Sequence, residues 1–142
     1  MQLAATGLAL PLLGMMILTL VVWVYMFITR IRYAQSHQVD IEEFKTPADI
    51  QALIPGDASA PANNLKNLFE LPVVFYAVCL YLTVTGQVGD FYVTCAWTFL
   101  LLRIVHSLVH CTYNRVSHRF IAYMLSSIAL WLMVLTAFFA LL

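Results

Sequence analysis

The sequence predicts an all-α fold, an integral membrane four-helix bundle, and three observations predict it. The 142 residues are 63% hydrophobic and only 10% charged, with a mean hydropathy of +0.88; a soluble domain carries about 25% charged residues. Met1 to Thr29, Leu71 to Gly89 and Phe120 to Leu142 contain no Asp, Glu, Lys or Arg. Each is long enough to cross about 30 Å of hydrocarbon. A fourth stretch, Phe91 to Asn114, is interrupted only by Arg103. A chain of this length has no room for a second domain, so residues 1–142 are expected to form one.

Helix 1 is expected over residues 5–34. It lacks the basic start and small-residue cleavage site of a signal peptide, so it is expected to be retained. Residues 35–60 form the one long loop, acidic and marked by the turn formers Pro47, Pro55, Gly56 and Asp57. Within it "TPADIQALI" has the pattern of a short helix, with Thr46 as cap and Pro47 in first position. Helix 2 is expected over 61–85, opened by Pro61. "TGQVGD" is a tight turn, helix 3 covers 90–113 and helix 4 covers 118–141. All seven Lys and Arg lie in the loops after helices 1 and 3 or in the helix halves near them. The positive-inside rule then puts both loops in the cytoplasm and both termini outside. Zero net charge and dispersed basic residues point away from nucleic acid.

Polar residues within the spans carry the functional signal. Asn63, Asn67 and Glu70 share one face of helix 2; Arg103, His106 and His110 share one face of helix 3. Counted from the cytoplasmic ends at 1.5 Å per residue, Glu70 and Arg103 both lie roughly 14–15 Å deep. Asn67 comes level with His106, and Asn63 with His110. An unpaired charge at such depth costs about 2.5–3.5 kcal/mol, so the two stripes are expected to face each other or a shared polar cavity, with Glu70 paired to Arg103. A structural ion pair that fixes helix register is the plainer reading of the same residues.

His106 and His110 have the i, i+4 spacing of a metal pair, but no nearby Cys or carboxylate completes a tetrahedral set, and no metal is expected. Cys79, Cys95 and Cys111 read as small apolar residues rather than disulfide partners. No phosphate-binding loop, nucleophile elbow or Cys-pair motif occurs.

"NLKNLFELPVVFYA" followed by "LLRIVHSLVHCTYNRVSHRFIAYM" resembles the MAPEG family, the membrane-associated proteins in eicosanoid and glutathione metabolism, in a bacterial-type form. The resemblance covers nearly the whole chain. It rests on the Asn-x-x-Glu of helix 2 (Asn67, Glu70), the Arg-x-x-His of helix 3 (Arg103, His106), and Arg119 at the start of helix 4. The "RIR" closing helix 1 (Arg30, Arg32) adds to it. The resemblance implies a homotrimer in an inner membrane, with glutathione bound between neighbouring subunits near the cytoplasmic face. Asn67 and Glu70 would contact the polar groups of that tripeptide, and Arg30 or Arg32 a carboxylate. Asn63, Arg103, His106 and His110 would complete the pocket, and Arg119 would stand at the thiol as the catalytic residue. Lipophilic electrophiles or hydroperoxides would enter from the bilayer.

The chain departs from the family pattern at three points. Asn63 stands where the enzymatic pattern has an Arg, His110 where a Tyr is expected, and Leu71 where some members have Tyr. Asn cannot replace the bidentate carboxylate clamp of a guanidinium. Two functions follow: a glutathione-dependent transferase or peroxidase, or a non-catalytic lipid-binding or interaction subunit on the same scaffold.

Overall fold

The computed structural model describes residues 2–54 and 56–142, with side-chain surroundings from Gly7 onward; Pro55, read above as a turn former, lies outside the described residues. All regular structure among the described residues is helical: α1 (Gln2–His37), α2 (Pro47–Leu53), α3 (Ala60–Leu68), α4 (Leu71–Val84), α5 (Asp90–Cys111) and α6 (Val116–Phe139). Two short 3-10 turns, Ile41–Glu43 and Gly56–Ser59, lie in the first loop. Four segments among the described residues are long and apolar enough to cross a membrane: Gly7–His37, Gly56–Val84, Asp90–Cys111 and Val116–Phe139.

The second span is not the single helix expected over 61–85. It breaks between Leu68 and Leu71, where Glu70 adopts φ −95°, ψ −104°. Pro72 is the physical reason. It has no N–H to donate, and its ring collides with the carbonyl four residues earlier, that of Leu68, the last residue of α3. Phe69 closes α3 with a tightened bond, its N–H donating to the Lys66 carbonyl at 3.0 Å. The other spans run as expected, with α1 continuing to His37 because nothing in "AQSH" breaks a helix.

α5 and α6 form the most extensive helix pair, and α1 packs across α3, α4 and α5. Apolar residues of all four spans meet in the centre, where the rings of Phe75 and Phe99 stack at 4.5 Å among Met15, Leu82, Leu130 and Met133. Gly7 and Gly14, seven residues or about two turns apart on α1, let it approach α5 closely. A Cβ at Gly14 would lie 2.7 Å from Leu100 Cδ2, and one at Gly7 would lie 2.9 Å from Val93 Cγ2. Lipid tails are as apolar as the helices, so close van der Waals packing of this kind holds such a bundle together.

The first loop is ordered by local chemistry. The Thr46 hydroxyl accepts from the Asp49 N–H at 3.2 Å, and the Asp49 carboxylate accepts from the Thr46 N–H at 3.0 Å. This reciprocal capping box starts α2 with Pro47 in its first turn. α2 then folds back over the end of α1 and the start of α3, burying Ile54.

Candidate functional site

The break in the second span explains the arginine in the third. In an unbroken helix the Asn67 carbonyl would accept from the Leu71 N–H; here it accepts from Arg103 Nη2 at 2.7 Å. A buried backbone carbonyl left without a partner costs about 1–3 kcal/mol, and a cation at the C-terminal end of a helix is favoured by its dipole. Arg103 is fully buried, and its guanidinium carbon lies 5.4 Å from the centre of the Tyr123 ring, a cation–π contact from α6. Its Nε and Nη1 have no hydrogen-bond partner among the described residues.

Glu70 is therefore not the partner of Arg103 within the chain, contrary to the expected pair. Its side chain is exposed at the break, beside an exposed Phe69, while the guanidinium turns inward to the Asn67 carbonyl. The expected polar stripe of Asn63, Asn67 and Glu70 also does not face α5. Pro61, Asn64 and Leu68 form the buried face of α3, and Asn63 and Glu70 lie outside it.

On α5 the expected face is real. Arg103, His106 and His110 are all buried, and the two imidazoles meet edge to face at 5.5 Å. His106 Nδ1 bonds the Arg119 carbonyl at 2.9 Å. A carbonyl only accepts, so Nδ1 carries the proton. The opposite nitrogen, Nε2, has no hydrogen-bond partner among the described residues, and neither has His110 Nδ1. Tyr123, one turn beyond Arg119, closes the cluster with its ring 5.8 Å from that of His106. Arg119 is half-buried at the start of α6, and its Nη1 donates to Asn114 Oδ1 at 2.7 Å. Arg103, His106, His110 and Arg119 thus form one cationic and imidazole cluster between α5 and α6, joined by the Asn67 carbonyl but not by its side chain.

The remaining candidates lie elsewhere in the chain. Arg30 and Asn63 share a cavity of about 150 Å³ with Lys66, Gln51 and Ile50, beneath α2. Arg32 turns to another side of α1, into a groove with Tyr33, Ser36, Asp57 and Cys111. Among the described residues no group of His, Cys, Asp and Glu is arranged to hold a metal ion, and the three cysteines are free.

Asn64, Tyr123 and Asn114 were missed in the sequence. Asn64 is fully buried: its Nδ2 donates to Cys111 Sγ and its Oδ1 accepts from Ser107 Oγ, both at 3.4 Å. Its signal was the apolar pair Pro61 and Leu68, seven residues or about two turns apart, whose shared face takes in Asn64 rather than Asn63. Tyr123 sits four residues after Arg119, on the same helical face.

Four apolar spans around a buried cluster of Arg and His define an integral membrane protein with a polar site set into its bilayer-buried part. The sequence model of the MAPEG family matches residues 8–139, and the chain belongs to that family. No curated protein and no solved structure matches the chain significantly.

Proposed function

We propose that this chain is a membrane-bound glutathione-dependent transferase or peroxidase acting on lipophilic electrophiles or hydroperoxides, assembled as a homotrimer. The carrying observation is the Arg103, His106, His110 and Arg119 cluster, which leaves two guanidinium and two imidazole nitrogens unpartnered inside the bundle. Such groups are costly in a membrane interior and favour a ligand that supplies acceptors to the guanidinium and a donor to His106 Nε2. The residue types suit glutathione: Arg30 and Lys66 for its carboxylates, Glu70 for its amine, and Arg119 for its thiol. Asn67 adds a carboxamide.

Within one protomer these groups lie on separate faces, and Glu70 points outward. A site between neighbouring copies brings such faces together, which supports the homotrimer. Bound there, glutathione supplies a thiol nucleophile. A free thiol is only a few per cent thiolate at neutral pH. The permanent charge of Arg119 favours the ionised form, and the half-buried position of that residue limits screening by water. Both loops face the cytoplasm of a bacterial inner membrane in this reading, so cysteines introduced at Ser59 and Gly89 are labelled from inside and outside respectively.

A second reading is favoured by one observation. Asn63, standing where the enzymatic family pattern has an Arg, leaves the carboxylate side of the pocket with Arg30 and an exposed Lys66. On that reading the protein is a non-catalytic lipid-binding or interaction subunit. Calorimetry with glutathione, together with conjugation of an apolar aryl halide, separates the two. The enzymatic reading requires binding and an ultraviolet thiolate signal that Arg119→Ala abolishes and Arg115→Ala leaves. Folded, trimeric protein that binds no glutathione refutes it in favour of the second.

A further inference from the structure

Between Cys111, which ends α5, and Val116, which begins α6, Asn114 has a left-handed backbone with φ +48°. Few residues with a side chain tolerate that region, and Asn is among those that do. The Asn114 N–H, upstream of that torsion, donates to the Val109 carbonyl at 2.8 Å, the closing bond of a helix C-terminus. The left-handed conformation sets the direction of the carboxamide, whose Oδ1 accepts from Arg119 Nη1 at 2.7 Å. Five residues on, the main chain of Arg119 is held from the other side by His106 Nδ1. The arginine is thus restrained at both ends: its backbone by α5, its guanidinium by the turn.

From this geometry we infer that Asn114 is the positioning residue of Arg119, fixing the guanidinium at the cytoplasmic end of the α5–α6 cluster. The inference rests on the reading of Arg119 as the cation that stabilises the thiolate. A long, flexible side chain at a helix start otherwise samples many rotamers and spreads its charge over solvent. The attraction between charges falls with distance, so a charge that wanders from about 4 Å to about 8 Å loses roughly half of its effect on a particular thiol. The carboxamide engages one donor of the five-donor fork and leaves the remainder to face an anion. Arg115, at the start of the same helix, is exposed and serves as the internal comparison.

A turn residue with a purely structural role has the same backbone, so the test separates conformation from carboxamide. Asn114→Gly accepts positive φ without strain but has no acceptor. Asn114→Asp keeps both the tolerance of this conformation and an acceptor. Each variant is purified in mild detergent, its helix content is checked, and guanidinium modification by phenylglyoxal is followed peptide by peptide by mass spectrometry. Arg119 is expected to react roughly two- to tenfold faster in Asn114→Gly, the factor that one net hydrogen bond represents. Arg115 is expected to keep its rate, and Asn114→Asp to protect Arg119 at least as well as the wild type.

The thiolate absorbance of added glutathione is read on the same samples. It is expected to fall in the Gly variant and persist in the Asp variant, with kcat for the aryl halide falling more than KM rises. Equal modification rates in wild type and Asn114→Gly overturn the positioning, whatever glutathione does, as does an Asp variant that reacts as fast as the Gly one. Faster modification in Asn114→Gly with the thiolate signal intact overturns its functional role. Faster modification in a protein whose wild type shows no thiolate signal upholds the restraint and refutes the reading of Arg119.

Discussion

Replacing Arg103 by Met removes a buried charge, one hydrogen bond and one ring contact, and the three effects oppose one another. The bond from Nη2 to the Asn67 carbonyl, at 2.7 Å, is charge-assisted, and such bonds contribute about 1.5–3 kcal/mol. The contact with Tyr123 at 5.4 Å, away from water, contributes up to about 2 kcal/mol. Against these stands the cost of holding an arginine at mid-membrane depth, about 2.5–3.5 kcal/mol. Nε and Nη1 add no further hydrogen bond to offset that cost among the described residues. The opposing terms nearly cancel, so Arg103→Met is expected to lie within about 2 kcal/mol of the wild type. Arg103→Lys is expected to be less stable than Arg103→Met, because an ammonium keeps the buried charge without the planar fork and its stacking. Reversible unfolding in mixed micelles of increasing detergent denaturant measures both. Hydrogen exchange at residues 68–71 reports whether the break loosens once its carbonyl loses the guanidinium. A loss near the 3–5 kcal/mol typical of a one-sidedly broken buried ion pair would refute the reasoning. It would mean that the guanidinium has an anionic partner, with Glu70 the first candidate.

Gly14→Leu forces a side chain into the place of Leu100 and is expected to cost about 1–3 kcal/mol, read in the same unfolding assay; an unchanged midpoint would show that α1 and α5 are not closely packed at this point. Asn64→Leu exchanges two long hydrogen bonds for an apolar side chain of similar size. Interhelical bonds in membranes average about 0.6 kcal/mol, so a shift above roughly 2 kcal/mol would contradict the geometry at Ser107 and Cys111. Thr46→Ala removes the capping box and is expected to weaken α2 by about 0.5–2 kcal/mol, seen as faster hydrogen exchange over Pro47–Leu53 with the spans unaffected. Exchange unchanged in α2 would mean that packing of Ile54, not the cap, holds it.

The four spans were legible because a bilayer imposes its demand on each segment separately. About twenty apolar residues must pass through hydrocarbon with every backbone group bonded internally, and that demand appears as uncharged stretches in linear sequence. The start of α2 was legible for a related reason: Thr46 and Pro47 act on their own backbone within one turn. The α5 stripe of Arg103, His106 and His110 was also readable, because a single regular helix converts spacing directly into a face. Family membership followed from the order and spacing of such residues.

The partners of those residues required the tertiary structure. The facing stripe was counted along an unbroken second helix, whereas Pro72 stops α3 at Leu68 and Glu70 leaves the helical path. Beyond such a break the phase of the helix is lost, so Glu70 turns out to the surface; before it, Asn64 shares the face of Pro61 and Leu68 and is the inner polar residue. The break also frees a backbone carbonyl, and the group that Arg103 reaches is that carbonyl, an atom every residue carries and no motif can mark. The hold of Asn114 on Arg119 depends in the same way on a left-handed backbone between two helices. Periodicity along one helix is a local property of the chain; which face meets which, and what a kink leaves unsatisfied, depends on how separate segments pack.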